Sequence, residues 1–256
     1  MTNLIQVSLF GFISNGLSLY IITTNSQFRN AYGALSTVGL LYNIQTLSIL
    51  LIWEAVVIIG SRELSTPTSF IALIPGCLAS VSSYGLLLVH FLLAVNRYCA
   101  LAHPLKYHRF WSVAKARRAG IIGYFFGFLP CFPSIFEPCI LIFNTELGFY
   151  WSYGTTSCGY LNSIFDLIYT SSLSIITGCI NFITLIKIKN QKKPGNTARS
   201  INHKREVLFF KQSCISGLII IIINIFFVTG PYYLSNKWAL FASTTIAWQV
   251  AHVLDG

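Results

Sequence analysis

Residues 70–98 read FIALIPGCLASVSSYGLLLVHFLLAVNRY, and the only charged side chain among them, leaving histidine aside, is Arg97. A helix rises 1.5 Å per residue, so about 20 predominantly apolar residues cross the ~30 Å hydrocarbon core of a bilayer. The stretch is a continuous apolar run rather than an alternation of apolar and polar residues, which disfavours a strand of a membrane β-barrel. We therefore predict a membrane-spanning helix that ends in Asn-Arg-Tyr.

The composition of the whole chain agrees with this interpretation. Of its 256 residues, 54% are hydrophobic and only 9% are charged, whereas soluble domains carry about 25% charged residues. A soluble domain of this length cannot bury so much apolar surface and still cover itself with polar groups, and disordered chains are poor in apolar residues. The composition thus excludes both classes and predicts an integral membrane protein.

Stretches without charged residues divide the chain into helices. They predict an all-α membrane protein, a bundle of seven transmembrane helices. The predicted spans are 4–24, 34–60, 70–98, 118–141, 160–188, 207–235 and 238–256. We interpret the first half of the uncharged stretch 147–165 as a loop, because it is rich in glycine, threonine and serine. Since the sequence ends inside the last of these spans, we expect a truncated seventh helix without a cytoplasmic tail.

The basic residues predict the orientation of the bundle. Membrane proteins carry an excess of lysine and arginine on the cytoplasmic side. With the N-terminus outside, only Arg62 and Lys237 of the 17 basic residues lie outside, and the other fifteen lie inside. We therefore expect the N-terminus outside. The net charge of +10 then reflects topology and attraction to membrane lipids, and gives no reason to expect nucleic acid as a partner.

The cysteines predict a disulfide on the outer side. Of the seven cysteines, Cys77, Cys139 and Cys158 lie toward the outer, oxidising side, and we expect two of these three to pair. The histidines and cysteines show no clustered ligand spacing, so we expect no metal site and no cofactor.

Residues 96–107 read NRYCALAHPLKY. An Asn-Arg-Tyr followed by Pro-Leu-x-Tyr at this spacing resembles the DRY…PLxY segment of rhodopsin-like G-protein-coupled receptors. The resemblance implies a switch that couples to a heterotrimeric G protein, formed by Asn96, Arg97, Tyr98, Pro104 and Tyr107. From the residues alone, Arg97 is a charge that must pair or reach water. The switch rests on the resemblance, and the alternative is an anchor that snorkels to the membrane interface.

A narrower resemblance extends over almost the whole chain, to the nematode chemoreceptors of serpentine receptor class X. It rests on FRNAYG at 28–33, AVNRY at 94–98, YWS at 150–152 between Cys139 and Cys158, FKQSC at 210–214 and SNKW at 235–238. The last of these is followed by Ala247-Trp248, His252 and Asp255-Gly256, as in that family's seventh helix. The resemblance implies a Cys139–Cys158 disulfide.

The same resemblance implies a chemosensory receptor of the plasma membrane, located in the sensory cilia of neurons. Such a receptor binds a small molecule or peptide between the outer halves of its helices. Asp166 in predicted helix 5 and Glu54 in predicted helix 2 are candidates to hold a cationic ligand; for each, a satisfied interhelical hydrogen bond is the alternative. We interpret His90 and His252 as packing or hydrogen-bonding groups.

A further resemblance to rhodopsin-like receptors concerns polar residues inside predicted helices 2 and 7. Those receptors place an Asp on helix 2 and usually an Asn on helix 7, whereas this chain has Asn43 and Asp255. At 1.5 Å per residue, Asn43 lies ~14 Å from the inner end of its helix and Asp255 ~26 Å below the outer end of its own. We expect a hydrogen bond between them, with Asn15 near the same level, because a carboxyl at that depth needs a donor. Alternatively, Asp255 reaches headgroup water.

Two other classes of membrane protein remain open on the residues alone. A transporter is expected to carry an internal repeat or paired broken helices, and we find no repeat in the sequence. An intramembrane enzyme needs a catalytic pair, but Asp166 and Asp255 lie on helices expected to enter from opposite faces, without catalytic motifs. We therefore expect a receptor and not an enzyme, with a multi-pass transporter or a non-functional receptor fragment as alternatives.

Overall fold

A computed structural model describes residues 2–60, 62–66, 70–136, 139–145, 149–154, 156–190 and 197–255. Helices make up most of this structure. They are α1 (Thr2–Thr24), α2 (Ala31–Ile59), α3 (Phe70–Ala102), α4 (Pro104–Phe110), α5 (Val113–Cys131), α6 (Ser157–Asn190), α7 (Thr197–Tyr233), α8 (Lys237–Phe241) and α9 (Ala247–Leu254). A π-helical turn, Ala242–Ile246, joins α8 to α9.

Among the described helices, six are long and apolar enough to cross a membrane, namely α1, α2, α3, α5, α6 and α7. The segment made of α8, the π turn and α9 occupies the position of the seventh predicted helix. It packs against α1, α2 and α7, so the bundle closes on itself. The short helix α4 begins with Pro104, which suits the first turn of a helix because it has no N–H to satisfy there.

The helix predicted at 118–141 differs most from the structure. It begins earlier, at Val113, because the side chain of Ser112 caps the first turn by accepting from the backbone N–H of Lys115. It also ends earlier, at Cys131, and a 3₁₀ turn follows at Phe132–Ile135. Prolines 130 and 133 lie at this point, and each removes a backbone donor that a continuing helix needs. The expected span to residue 141 is therefore wrong.

A β-hairpin occupies the region that the sequence analysis assigns partly to helix 4 and partly to a loop. Strands β1 (Leu141–Asn144) and β2 (Tyr150–Tyr153) pair antiparallel, with Leu141 opposite Tyr153. Apolar and aromatic residues at these positions favour strands. The expectation of an all-α protein is thus wrong in one respect, since the described chain contains a small two-stranded sheet. The end of the bundle where this sheet lies we call the hairpin end.

The hairpin is packed into the bundle as part of its core. Phe143 and Trp151 have no exposed surface, and they lie against Leu50 and Val57 of α2. Gly76 of α3 makes this approach possible, because a Cβ atom there would lie 2.2 Å from the carbonyl oxygen of Leu141. The opposite end of the bundle, where α3 ends after Arg97, we call the arginine end.

The disulfide expected from the class X resemblance is confirmed. Cys139 and Cys158 are bonded, with their Cα atoms 5.0 Å apart. The bond joins the chain just before β1 to the first turn of α6, and so attaches the hairpin to the bundle. Cys77 has a different neighbour, since it packs against the cluster that contains Cys131 of α5, and both of these cysteines are free. Cys131 was not singled out from the sequence.

Candidate functional site

A cavity of about 80 Å³, the hairpin cavity, lies beneath the hairpin. Its lining includes Leu141 and Tyr153 from the hairpin and Trp248, His252 and Asp255 from the seventh segment. The remaining walls come from α3, α6 and α7. A single water needs ~10–15 Å³ of such volume, so the cavity has room for roughly five to eight water-sized groups. It therefore suits a small molecule rather than a peptide.

Asp166 of α6 lines this cavity and is held by two tyrosines. The hydroxyl of Tyr84 donates to Oδ1 at 2.8 Å, and the hydroxyl of Tyr153 donates to Oδ2 at 3.2 Å. These bonds join α3, the hairpin and α6 at one carboxylate. One turn further along α6, Thr170 accepts a hydrogen bond of 2.7 Å from Nδ2 of Asn224, which adds α7 to the same group.

Aromatic rings form much of the wall around Asp166. The ring centroids of Tyr153 and Phe227 are 6.2 Å apart, and those of Phe227 and Trp248 are 5.9 Å apart, both in edge-to-face geometry. Such contacts fix the orientation of the rings. The cavity thus combines one carboxylate with a rigid aromatic wall.

Asn43 and Asp255, predicted to interact, are brought together by the structure. Nδ2 of Asn43 donates to Oδ2 of Asp255 at 3.1 Å, and Nε2 of His90 lies 3.0 Å from the same oxygen. The other atom of the Asn43 amide, Oδ1, lies 2.7 Å from Nδ1 of His252. Since a carbonyl oxygen only accepts, Nδ1 of His252 carries the hydrogen.

Polar contacts continue from this group into the hairpin cavity. Nε2 of His252 lies 3.1 Å from the hydroxyl of Ser83, and the indole N–H of Trp248 donates to that hydroxyl at 3.3 Å. Together with the contacts above, this gives an unbroken sequence of hydrogen bonds that we call the polar chain. Its members are Trp248, Ser83, His252, Asn43, Asp255 and His90.

Asn15 is near the polar chain but bonds to its backbone. Its Nδ2 donates to the carbonyl of Gly11 at 2.9 Å and to the carbonyl of His252 at 3.2 Å. It is fully buried. Asn15 therefore attaches α1 to α9 without touching the side chains of Asn43 or Asp255 in any described contact.

A second cavity of about 210 Å³, the arginine cavity, lies toward the arginine end. Tyr32, Arg97 and Gln212 line it, and so do His90 and Asp255. Asp255 thus borders both cavities. The polar chain therefore runs from the first cavity to the second.

Arg97 of the Asn-Arg-Tyr motif lines the arginine cavity. Nε of Arg97 donates to the carbonyl of Leu93 at 3.3 Å, and the guanidinium carbon lies 5.9 Å from the ring centroid of Tyr32. Within the described part of the chain, Arg97 forms no ion pair with a carboxylate. Among the described residues, its charge is met by a carbonyl and an aromatic ring and by no carboxylate.

The two neighbours of Arg97 contact other elements. Nδ2 of Asn96 donates to the hydroxyl of Tyr107 at 3.1 Å, which joins Asn-Arg-Tyr to the Pro-Leu-x-Tyr of α4. The ring of Tyr98 lies 5.5 Å from Nζ of Lys187 on α6. Pro104 begins α4. The motif residues thus connect α3, α4 and α6 at one end of the bundle.

Glu54, a candidate ligand contact in the sequence analysis, lies elsewhere. It is only 1% exposed. The indole N–H of Trp151 donates to Oε1 at 2.8 Å, and Nε2 of Gln249 donates to Oε2 at 2.9 Å. Both oxygens are therefore used in joining α2 to the hairpin and to α9, and the residue is not in the lining of the hairpin cavity. The alternative, a satisfied interhelical hydrogen bond, describes this side chain.

Ser83, Trp248 and the two tyrosines that hold Asp166 were not predicted as site residues from the sequence, although Ser83 and Trp248 carried a signal. Ser83, His90 and Arg97 are spaced by seven residues, which places them on one face of α3. Trp248, His252 and Asp255 are separated by four and three residues, which places them on one face of a helix. The tyrosines that hold Asp166 had no such signal, because Tyr153 is brought there by the hairpin.

Comparison with known proteins agrees with this architecture. The family model described as serpentine type 7TM GPCR chemoreceptor Srx matches residues 5–256. Serpentine receptor class X-43 of Caenorhabditis elegans is 23% identical over 178 residues, which cover 66% of this chain and 55% of that relative. The chain thus spans about half the length of this curated relative. The match over nearly all of its residues means that the chain belongs to the Srx family of serpentine seven-transmembrane chemoreceptors.

Proposed function

We propose that the chain is a chemosensory receptor that binds a small molecule in the hairpin cavity and signals to a heterotrimeric G protein at the arginine end. The observation that carries this proposal is the polar chain, since Asp255 borders both cavities. A ligand that displaces Trp248 or Ser83 changes a hydrogen bond of the chain at one end. The change reaches His90 and the arginine cavity through contacts shorter than 3.5 Å.

The ligand site consists of Asp166 with its two tyrosines and the aromatic wall. The hairpin contributes Tyr153, and the Cys139–Cys158 disulfide holds the hairpin against α6. This supports a site whose shape depends on the hairpin. Asp166 orients the ligand, and Phe227 and Trp248 exclude water from it.

The G-protein site consists of Arg97 with Asn96, Tyr98, Pro104 and Tyr107. Arg97 is charged and without a carboxylate partner among the described residues, so a carbonyl or carboxylate of the G protein is a favourable partner. Asn96 and Tyr107 fix α4 beside it. The cavity of about 210 Å³ next to Arg97 supplies space for part of that partner.

The orientation places the hairpin end outside and the arginine end in the cytoplasm, with the N-terminus outside. Two observations support this topology. The disulfide lies at the hairpin end, and disulfides persist in oxidising compartments. Basic residues collect at the arginine end, as cytoplasmic loops require; those described there include Lys106, Arg109, Lys115, Arg117, Arg118, Lys187 and Lys189. We place the receptor in the plasma membrane of sensory neurons, within their cilia.

A ligand screen in cells that carry a G-protein reporter tests the proposal. Cells that express the chain should respond to at least one small molecule, and cells that express the Arg97→Gln variant should not respond to it. A response that is unchanged in the variant contradicts coupling through the arginine end. Uptake of the molecule into the cells without any reporter signal supports a transporter instead.

A further inference from the structure

The hairpin cavity has an unusual distribution of charge. Two carboxylates line it, Asp166 and Asp255, and among the described lining residues there is neither lysine nor arginine. Asp255 is compensated, because His90 lies 3.0 Å away and Asn43 donates to the same oxygen. Among the described residues, the donors to the side chain of Asp166 are two neutral hydroxyl groups. The balance of charge is therefore negative on the side of α6.

Asp166 is partly accessible from the cavity although it lies well inside the bundle. It is nine residues after the first residue of α6, Ser157, which corresponds to ~14 Å along the helix. Each tyrosine donates one hydrogen bond to one oxygen of Asp166. A carboxylate oxygen can accept more than one hydrogen bond, so each oxygen keeps a free acceptor site. Asp166 is part of the lining of the cavity, so a ligand there can bind to its remaining acceptor sites. A charge at such depth is costly unless it is paired or protonated.

The aromatic wall favours a cation in the same place. The electron-rich faces of tryptophan, tyrosine and phenylalanine attract cations, and the effect grows in desolvated sites. Phe227, Trp248 and Tyr153 are held close together beside Asp166. An anion in this cavity meets a carboxylate and no compensating lysine or arginine among the residues described.

We propose that the ligand of the hairpin cavity is a small organic cation, whose ammonium group pairs with Asp166 and packs against the rings of Phe227 and Trp248. The inference rests on the proposed function and identifies the chemical class of its ligand. The volume of about 80 Å³ limits the ligand to a few heavy atoms beyond the ammonium group. Tyr84 and Tyr153 act as positioning residues, because they hold the carboxylate toward the cavity.

Compounds of equal shape and different charge test this proposal on the purified chain in lipid nanodiscs. Choline has a neutral counterpart in 3,3-dimethylbutan-1-ol, and 3,3-dimethylbutanoate provides an anion of similar size. A second and smaller cation, propylammonium, has butane as its neutral counterpart. Thermal unfolding is followed while each compound is titrated. We expect at least one of the cations to raise the unfolding temperature at a concentration about tenfold lower than its neutral counterpart, and the anion to have no effect.

Two variants test whether the preference for the cation depends on Asp166 in particular or on any buried carboxyl group. Asp166→Asn keeps the size of the side chain and should abolish the preference for the cation. Glu54→Gln changes a buried carboxyl outside the cavity, and should keep the preference. Neutral compounds that stabilise the wild-type chain as well as the cations overturn the proposal, and so does the absence of stabilisation by either cation. A cation preference that persists in the Asp166→Asn variant also overturns it.

The outcomes distinguish this inference from the proposed function. If a neutral or anionic compound activates the G-protein reporter, the chain is a receptor but its ligand is not a cation. If a cation binds in a manner that depends on Asp166 while no G protein responds, the ligand class stands and the receptor function fails.

Discussion

His90 and Asp255 face each other between the two cavities, with Nε2 of His90 3.0 Å from Oδ2 of Asp255. The side chains are 22% and 10% exposed, respectively. One partner comes from α3 and the other from the end of α9, so the pair joins the centre of the bundle to its seventh segment. A movement of α9 away from α3 lengthens or breaks this contact, together with those that Ser83 makes with His252 and Trp248.

Exchanging the polar residues of α2 and α9 tests the contact between Asn43 and Asp255. Asn43→Asp alone places a second carboxylate beside the first and should lower the yield of folded protein. Adding Asp255→Asn restores one carboxylate and one amide. The double variant should recover most of the yield, since the pair is worth roughly 0.6–2 kcal/mol. Folded protein is measured by size-exclusion chromatography with fluorescence detection. A double variant as poor as the sum of the two single variants refutes the interaction.

Gly76 is the position where the hairpin approaches α3 most closely, and it allows a matched comparison. In Gly76→Ala the new methyl group would meet the carbonyl of Leu141 at 2.2 Å, so the hairpin must move. We expect a loss of stability of about 1–3 kcal/mol, as for other overpacked sites, and a loss of ligand response. Gly178→Ala on α6 is the control, because its Cβ atom would meet nothing within 4 Å.

Thermal unfolding of both glycine variants tests whether the hairpin packs against α3 at Gly76. The Gly76 variant should unfold at a lower temperature than the wild-type chain, and the Gly178 variant should not. If the two variants are equally stable, the hairpin is not packed against α3 in this way.

Arg97 is expected to act on the G protein without affecting the ligand site. Arg97→Gln removes the charge but keeps a long polar side chain, so the fold should persist. We expect nucleotide exchange on the G protein to fall at least about tenfold, in line with the loss of a charge-assisted contact, while the affinity for the ligand stays the same. Lys106→Gln is the control, because Lys106 is exposed on α4 outside the arginine cavity. An equal loss of exchange in both variants contradicts a specific role of Arg97.

The topology can be tested with an epitope inserted at Gly195, in the basic segment between α6 and α7; this residue lies outside the described ranges. The basic residues on either side predict that this segment is cytoplasmic. An antibody should therefore reach the epitope only after the cells are permeabilised, whereas an epitope before Thr2 should be labelled on intact cells. Labelling of the Gly195 epitope on intact cells reverses the orientation.

The sequence predicted where most of the helices lie, because charge and hydropathy determine where a chain crosses a membrane, but the helix predicted at 118–141 ends at Cys131. Arg97 and the charge-free residues before it predict α3, and the class X resemblance predicts the Cys139–Cys158 bond that the structure contains. The hairpin was missed for a physical reason. Its strands are four residues long, and their burial depends on contacts with α2 and α3 that are distant in the sequence.

The site was predictable in part. Asn43 and Asp255 were expected to meet because both are polar residues in apolar helices, where a partner is required. Glu54 and Asp166 gave the same signal from the sequence, and both bond to the hairpin, through Trp151 and Tyr153 on the same face of β2. They differ because Trp151 and Gln249 enclose Glu54, which is 1% exposed, whereas Asp166 lines the hairpin cavity. Which of the two carboxylates lines a cavity therefore depends on the folded hairpin.

Nucleotide exchange on a purified heterotrimeric G protein, reconstituted with the chain in liposomes, tests the receptor function most directly. The compound to add is the small molecule found by the reporter screen. We predict that it raises the rate of exchange, that Asp166→Asn and Arg97→Gln each suppress this increase, and that the compound does not accumulate inside the liposomes. Accumulation of the compound in the liposomes, with an exchange rate that stays at its basal value, would contradict a receptor and identify a transporter.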